Sequence, residues 1–262
     1  MGFKSLFKGW MFSNSYNLAK SNLDKIGLMA LFDASFIVSF FYLLPYLARY
    51  IGENYIFPIG LLGPSVQALS IFIMFTVSYY LIILFFYSFF KYCVMDTIRS
   101  VYKKSEFSFS RLGKFFLLNL ALILPPYVLF SFTVGSIKES FRPYGFLAIG
   151  IPLLLYVYAL LNSAHSFFYR GSSFKESLKK SLEASFKIKA YKETVLIIII
   201  AGLALGIFFW LMGMLINWLL SGNYLIYLNA YPYYRVATVW LSYAVIYAIV
   251  LVNRITFYKM AK

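Results

Sequence analysis

The 262-residue chain is 62% hydrophobic and only 13% charged, whereas a soluble domain carries roughly 25% charged residues and under half apolar ones. That much apolar surface cannot be hidden in one aqueous core of this size, so lipid must be the solvent for most of the chain. The net charge of +15 would suit nucleic acid if it were gathered on a folded aqueous surface, but it sits in short segments between apolar runs, which argues against that partner.

Taken in order, residues 1–25 are amphipathic. Phe3, Phe7, Trp10 and Met11 recur at helical spacing with Lys4 and Lys8 between them. Two readings stand: a helix in the headgroup plane, or a plain lead-in to the first span. Gly2 follows Met1, but Leu6 stands where a myristoylation site wants Ser or Thr, so that lipid is not expected. A cleavable signal peptide is not expected either, because no continuous apolar core ends at small residues.

Six apolar runs follow, each long enough for the ~20 residues a helix needs to cross hydrocarbon. They cover approximately 26–48, 66–90, 115–134, 144–167, 195–220 and 236–257. The expected fold class is all-α, a polytopic six-helix membrane bundle, with residues 1–262 as a single transmembrane domain. Pro125–Pro126 marks a place where the third run could bend. Pro45 and Pro152 lie near the outer ends of theirs.

Orientation follows from counting. With six spans both termini share one side, and that side holds twenty of the 24 Lys and Arg. They fall before the first span, in 91–114, in 170–192, and at Arg254, Lys259 and Lys262 at or beyond the end of the last span. The other side keeps Arg49, Lys138, Arg142 and Arg235. The positive-inside rule then puts both termini in the cytoplasm. The outer connections are short and aromatic, and the last contains Tyr224, Tyr227, Tyr231, Tyr233 and Tyr234, read as interfacial anchors or as a surface for a partner. Each odd-numbered span is preceded by a similar basic stretch, which is either a three-hairpin parallel repeat or convergence among cytoplasmic lead-ins.

Polar side chains inside a bilayer are expensive and each is a functional candidate. Asp33, Asn119, Asn162, His165, Asn253 and Arg254 fall at comparable shallow depths from the cytoplasmic side. One reading is a cavity in which Asp33 pairs with Arg254 or binds a cation or headgroup, and His165 titrates. The favoured reading is interhelical glue, with Arg254 reaching toward the interface. Catalytic signatures are absent. One His and one Cys, Cys93, leave no His- or Cys-rich metal site and no intrachain disulfide. No cofactor, metal or catalytic residue is expected, and the chain is not read as an enzyme.

In SSFKESLKKSLEASFKIKAYKE (172–193) Phe174, Leu178, Leu182 and Phe186 recur every four residues. Ser172 or Ser173 is placed to cap the helix start. Lys175, Lys179, Lys180, Lys187 and Lys189 then form the expected contact with anionic lipid, about 1 kcal/mol each. The alternative is a helix that extends the fifth span into water. This run, with the shorter SEFSFSRLGKFFLLN (105–119), resembles the six-helix membrane proteins described as glycerophosphoryl diester phosphodiesterase membrane-domain-like. The resemblance implies a helical bundle with amphipathic cytoplasmic linkers. It implies no activity, because the phosphodiesterase catalytic domain is a separate soluble unit that this chain lacks.

The expected function is therefore a non-catalytic integral membrane protein that binds membrane lipids, notably those of the anionic inner leaflet, or a partner protein or second copy, and assists assembly or organisation. The alternative is a small transporter or channel using the polar patch around Asp33.

Overall fold

The computed structural model describes residues 10–56, 66–103, 107–185, 189–220 and 224–261. It is 93% helix with no strand among the described residues, and six helices are long and apolar enough to cross a membrane. We number the helices α1 Met11–Lys20, α2 Leu23–Asn54, α3 Val66–Ser100, α4 Phe109–Gly135, α5 Glu139–Tyr169, α6 Phe174–Ser185, α7 Lys189–Leu220 and α8 Tyr224–Met260. The chain divides into two compact units. One comprises Asn22–Phe186 with residues 261–262, and the other Met1–Ser21 with Lys187–Met260.

Five of the six candidate spans start before, and all but the fifth end after, the apolar runs that predict them. The last turns of α3 carry Lys91, Asp96 and Arg99 and are still helical, because a helix continues into a polar environment wherever side-chain packing supports it. The largest correction is at the tyrosine-rich segment 224–235. Its sequence reads as an outer loop, yet it forms the first three turns of α8, with Pro232 inside the helix. Tyr234 is half-buried and donates to the Phe209 carbonyl of α7 at 2.5 Å. Tyr231 and Tyr233 are exposed, and the side chains of Tyr224 and Tyr227 lie outside the described residues.

Proline also shapes α2 and α5. Pro45 follows a π-helical turn at Ser39–Leu43, and Pro152 follows one at Phe146–Gly150. Proline has no N–H and its ring clashes with the carbonyl four residues back, here Phe41 and Ala148. Both of those residues lie inside the widened turns, where the i→i+5 pattern relieves the clash. By contrast α4 runs continuously through Pro125 and Pro126.

In the unit 22–186, α3 packs on α2 and α4, and α5 packs on α4, α3 and most extensively on α6. Burial concentrates at one end, where α3 from Ser88 to Ile98, α4 from Leu112 to Leu122 and α5 from Ala159 to Tyr169 meet. The opposite halves of the spans leave large apolar side chains open: Phe41 is 64% exposed, Tyr46 71% and Phe132 74%. In the other unit, α1 packs against α8 and α7 packs along α8. Phe12, Ser15 and Ala19 are the buried face of α1. The Phe12 N–H donates to Glu193 Oε2 at 3.0 Å, which places a carboxylate at the N-terminus of α1, where the macrodipole favours it. The residues of the expected N-terminal stripe at Phe3, Phe7, Lys4 and Lys8 lie outside the described residues.

Candidate functional site

The densest polar cluster is built where α3, α4 and α5 meet. Asn119 on α4 donates through Nδ2 to Ser88 Oγ on α3 at 2.9 Å. His165 Nε2 on α5 lies 2.6 Å from Asn119 Oδ1. Because an amide oxygen only accepts, Nε2 carries the hydrogen in this arrangement. One level away, the Lys91 ammonium on α3 donates to Asn162 Oδ1 on α5 at 3.3 Å. Ser88 and Lys91 are three residues apart on one helix, and Asn162 and His165 are three apart on the other. The i,i+3 spacing brings each pair to a common face, and two polar layers stack along the α3–α5 contact. Ser88, Asn119 and His165 are 0% exposed, Asn162 4% and Lys91 8%.

An aromatic layer closes the cluster. The rings of Phe115 and His165 are 4.6 Å apart, Phe115 and Tyr169 5.7 Å, and Tyr92 and Tyr169 5.3 Å. Tyr169 also donates to the Tyr92 carbonyl at 2.8 Å. Arg111, in the first turn of α4, donates through Nη2 to the carbonyls of Phe168 and Tyr169, both at 3.2 Å, with its guanidinium 4.8 Å from the Tyr169 ring centre. These carbonyls belong to the last turn of α5, where helical partners run out and the dipole favours a cation. The contact also brings the described basic segments 91–103, 107–114 and 170–185 to the same end of this unit.

The connection from α5 to α6 is four residues long. Gly171 has φ +102°, and the Ser172 N–H reaches the Phe167 carbonyl while the Gly171 N–H reaches that of Phe168, each at 3.1 Å. This is a Schellman end, with glycine supplying the left-handed residue. Ser173 then opens α6 through a capping box: the Glu176 N–H reaches Ser173 Oγ at 3.4 Å and the Ser173 N–H reaches Glu176 Oε2 at 3.2 Å. The most buried face of α6 is not the stripe of Phe174, Leu178 and Leu182, of which the first two are half-buried and the third exposed. It is Ser177, Ser181 and Ser185, all at most 1% exposed. Small side chains permit a close approach to α5, while Leu182 is 41% exposed beside the exposed Lys175, Lys179 and Lys180. Lys180 Nζ lies 6.0 Å over the Phe167 ring.

The six predicted patch residues thus separate. Asn119 and His165 touch directly, and Asn162 joins the adjacent layer. Asp33 is half-buried on α2 of the same unit. Asn253 and Arg254 belong to the other unit, where Asn253 is fully buried and accepts from Thr194 Oγ1 at 2.5 Å. Of the five predicted lipid-contact lysines, Lys175, Lys179 and Lys180 are exposed on α6. Lys189 opens α7 with its side chain outside the described residues, and Lys187 and Phe186 lie outside them altogether. Among the described residues no group of three or more His, Cys, Asp and Glu could hold a metal. No protein-family model, curated protein or solved structure matches this chain.

Proposed function

We propose that the chain is a six-span integral membrane protein with both termini in the cytoplasm, which binds anionic lipid or a membrane partner and organises other components without catalysing a reaction. The observation that carries this reading is the inversion of its surface. In the unit 22–186, Ser88, Asn119 and His165 are fully buried and bonded to one another, while many large apolar side chains toward the opposite ends of the spans face outward. In water, exposed apolar helix faces of this extent are an aggregation liability. In lipid they are the required exterior, and a hydrogen-bonded polar interior holds the helices together.

The 0% exposure of Ser88, Asn119 and His165 means that no water-sized space touches them, and a conduction path needs such a space. The transporter reading therefore retains Asp33, half-buried on α2, as its candidate residue. The resemblance of 172–193 to the glycerophosphoryl diester phosphodiesterase membrane-domain-like proteins, which implies a helical bundle and no activity, fits the same proposal, as do the exposed lysines of α6, each adding about 1 kcal/mol against an anionic leaflet.

The full chain, reconstituted into vesicles, should retain anionic phospholipid through purification and show ion and solute leakage no greater than that of protein-free vesicles. Asp33→Asn should change neither property. Solute flux that Asp33→Asn abolishes would overturn the non-catalytic reading in favour of transport.

A further inference from the structure

In the unit formed by Lys187–Met260 with the N-terminal segment, the one acidic residue is Glu193, and it faces the Phe12 N–H at the start of α1. Thr194, beside it, is level with Asn253 through their hydrogen bond. Arg235 lies eighteen residues back along α8, about 27 Å away at the rise of an α-helix. Its guanidinium is exposed, and among the described residues no carboxylate is within ion-pair reach of it. Arg49 and Arg142, which also fall on the sparsely basic side, differ: each pairs with a local glutamate, Glu53 at 2.7 Å and Glu139 at 3.7 Å.

Arg235 also lines a groove of about 420 Å³ together with Tyr231, Pro232, Val236, Val239 and Trp240. These form three adjacent pairs spaced four apart, so they occupy one face of α8. Along the helix the order is aromatic and proline, then the cation, then valine and the 70% exposed Trp240. That is the order a phospholipid presents from headgroup to chain. We propose that this groove holds an anionic phospholipid of the non-cytoplasmic leaflet, with its phosphate on the Arg235 guanidinium and one acyl chain along Val236, Val239 and Trp240. A planar guanidinium matches phosphate with two parallel hydrogen bonds, and the apolar pairs below it continue into the hydrocarbon. The inference rests on the membrane-spanning reading above and adds to it a defined lipid and site.

The test uses the full chain with Trp10→Phe, Trp210→Phe and Trp218→Phe, leaving Trp240 as the fluorophore, in phosphatidylcholine vesicles doped with chain-brominated phosphatidylglycerol or chain-brominated diacylglycerol. The phosphatidylglycerol should quench Trp240 at a mole fraction about fivefold lower than the diacylglycerol, as one cation near an anionic headgroup provides. Arg235→Gln should bring the two quenchers level and Arg235→Lys should keep part of the preference. Equal quenching by both lipids in the Arg235 chain overturns the site while leaving the membrane reading intact. So does a preference that survives Arg235→Gln, or quenching that fades as the protein-to-lipid ratio rises, which marks a second copy in the groove. Absence of quenching by either lipid sinks the membrane reading and this site with it.

Discussion

Asn119 holds three helices at once, because its amide offers a donor to Ser88 and an acceptor to His165 from a single side chain. Asn119→Ala removes both bonds at a site with no access to water, and should cost about 1–2 kcal/mol of stability, read as a lower thermal midpoint of the purified protein in detergent. Arg111→Ala strips the shared donor from the Phe168 and Tyr169 carbonyls, and a loss of about 1–3 kcal/mol is expected. Arg111→Lys should recover only part of it, because an ammonium lacks the planar fork and the ring stacking. Full recovery by lysine would show that charge alone matters there. Asn119, Asn162 and His165 stand out in the sequence because each is polar within an apolar run. Ser88, Lys91 and Arg111 do not. Ser88 is small enough to pass unnoticed, and Lys91 and Arg111 read as solvated loop cations until the extra helical turns of α3 and α4 carry them into the packed end.

The pairing of α5 with α6 depends on a turn and a face. At Gly171 the φ of +102° suits glycine, and Gly171→Ala should cost about 1 kcal/mol. Ser181→Leu places a large side chain where a fully buried serine meets α5, and overpacking of this kind costs about 1–3 kcal/mol. Both substitutions should make Lys175, Lys179 and Lys180 cleave faster with trypsin in detergent, whereas Leu182→Ser, on the exposed side, should not. Equal acceleration by all three would mean that α6 is held by its leucines. The ends of α6 are legible in GSSFKE, where glycine, serine and glutamate occupy the positions a Schellman end and a capping box need. Its packed face is not legible. The stripe that stands out is the leucines, but serine permits the closer helix approach, while Leu178 is half-buried and Leu182 exposed. The helical tyrosine segment at the start of α8 is missed for another reason: Asn229 and Pro232 interrupt its apolar run, while Tyr234 is tied to the Phe209 carbonyl of α7.

At the scale of the molecule, the six candidate spans were readable from apolar length alone, and the structure extends most of them without adding or removing one. What composition could not reveal is how unevenly the spans of the unit 22–186 are packed, close and polar at one end and open with outward-facing aromatics at the other. That unevenness follows from where the basic segments lie, since Arg111 on one of them ties down the helix that precedes the other. The central claim is that these segments share the cytoplasmic face of a membrane. It is tested most directly by placing single cysteines at Lys103, Arg142 or Lys175 in a Cys93→Ser chain and labelling with an impermeant maleimide. In intact cells the cysteine at 142 should label, and those at 103 and 175 should label only after permeabilisation. Labelling of 103 and 175 from opposite sides, or of 142 together with 175, would contradict the account.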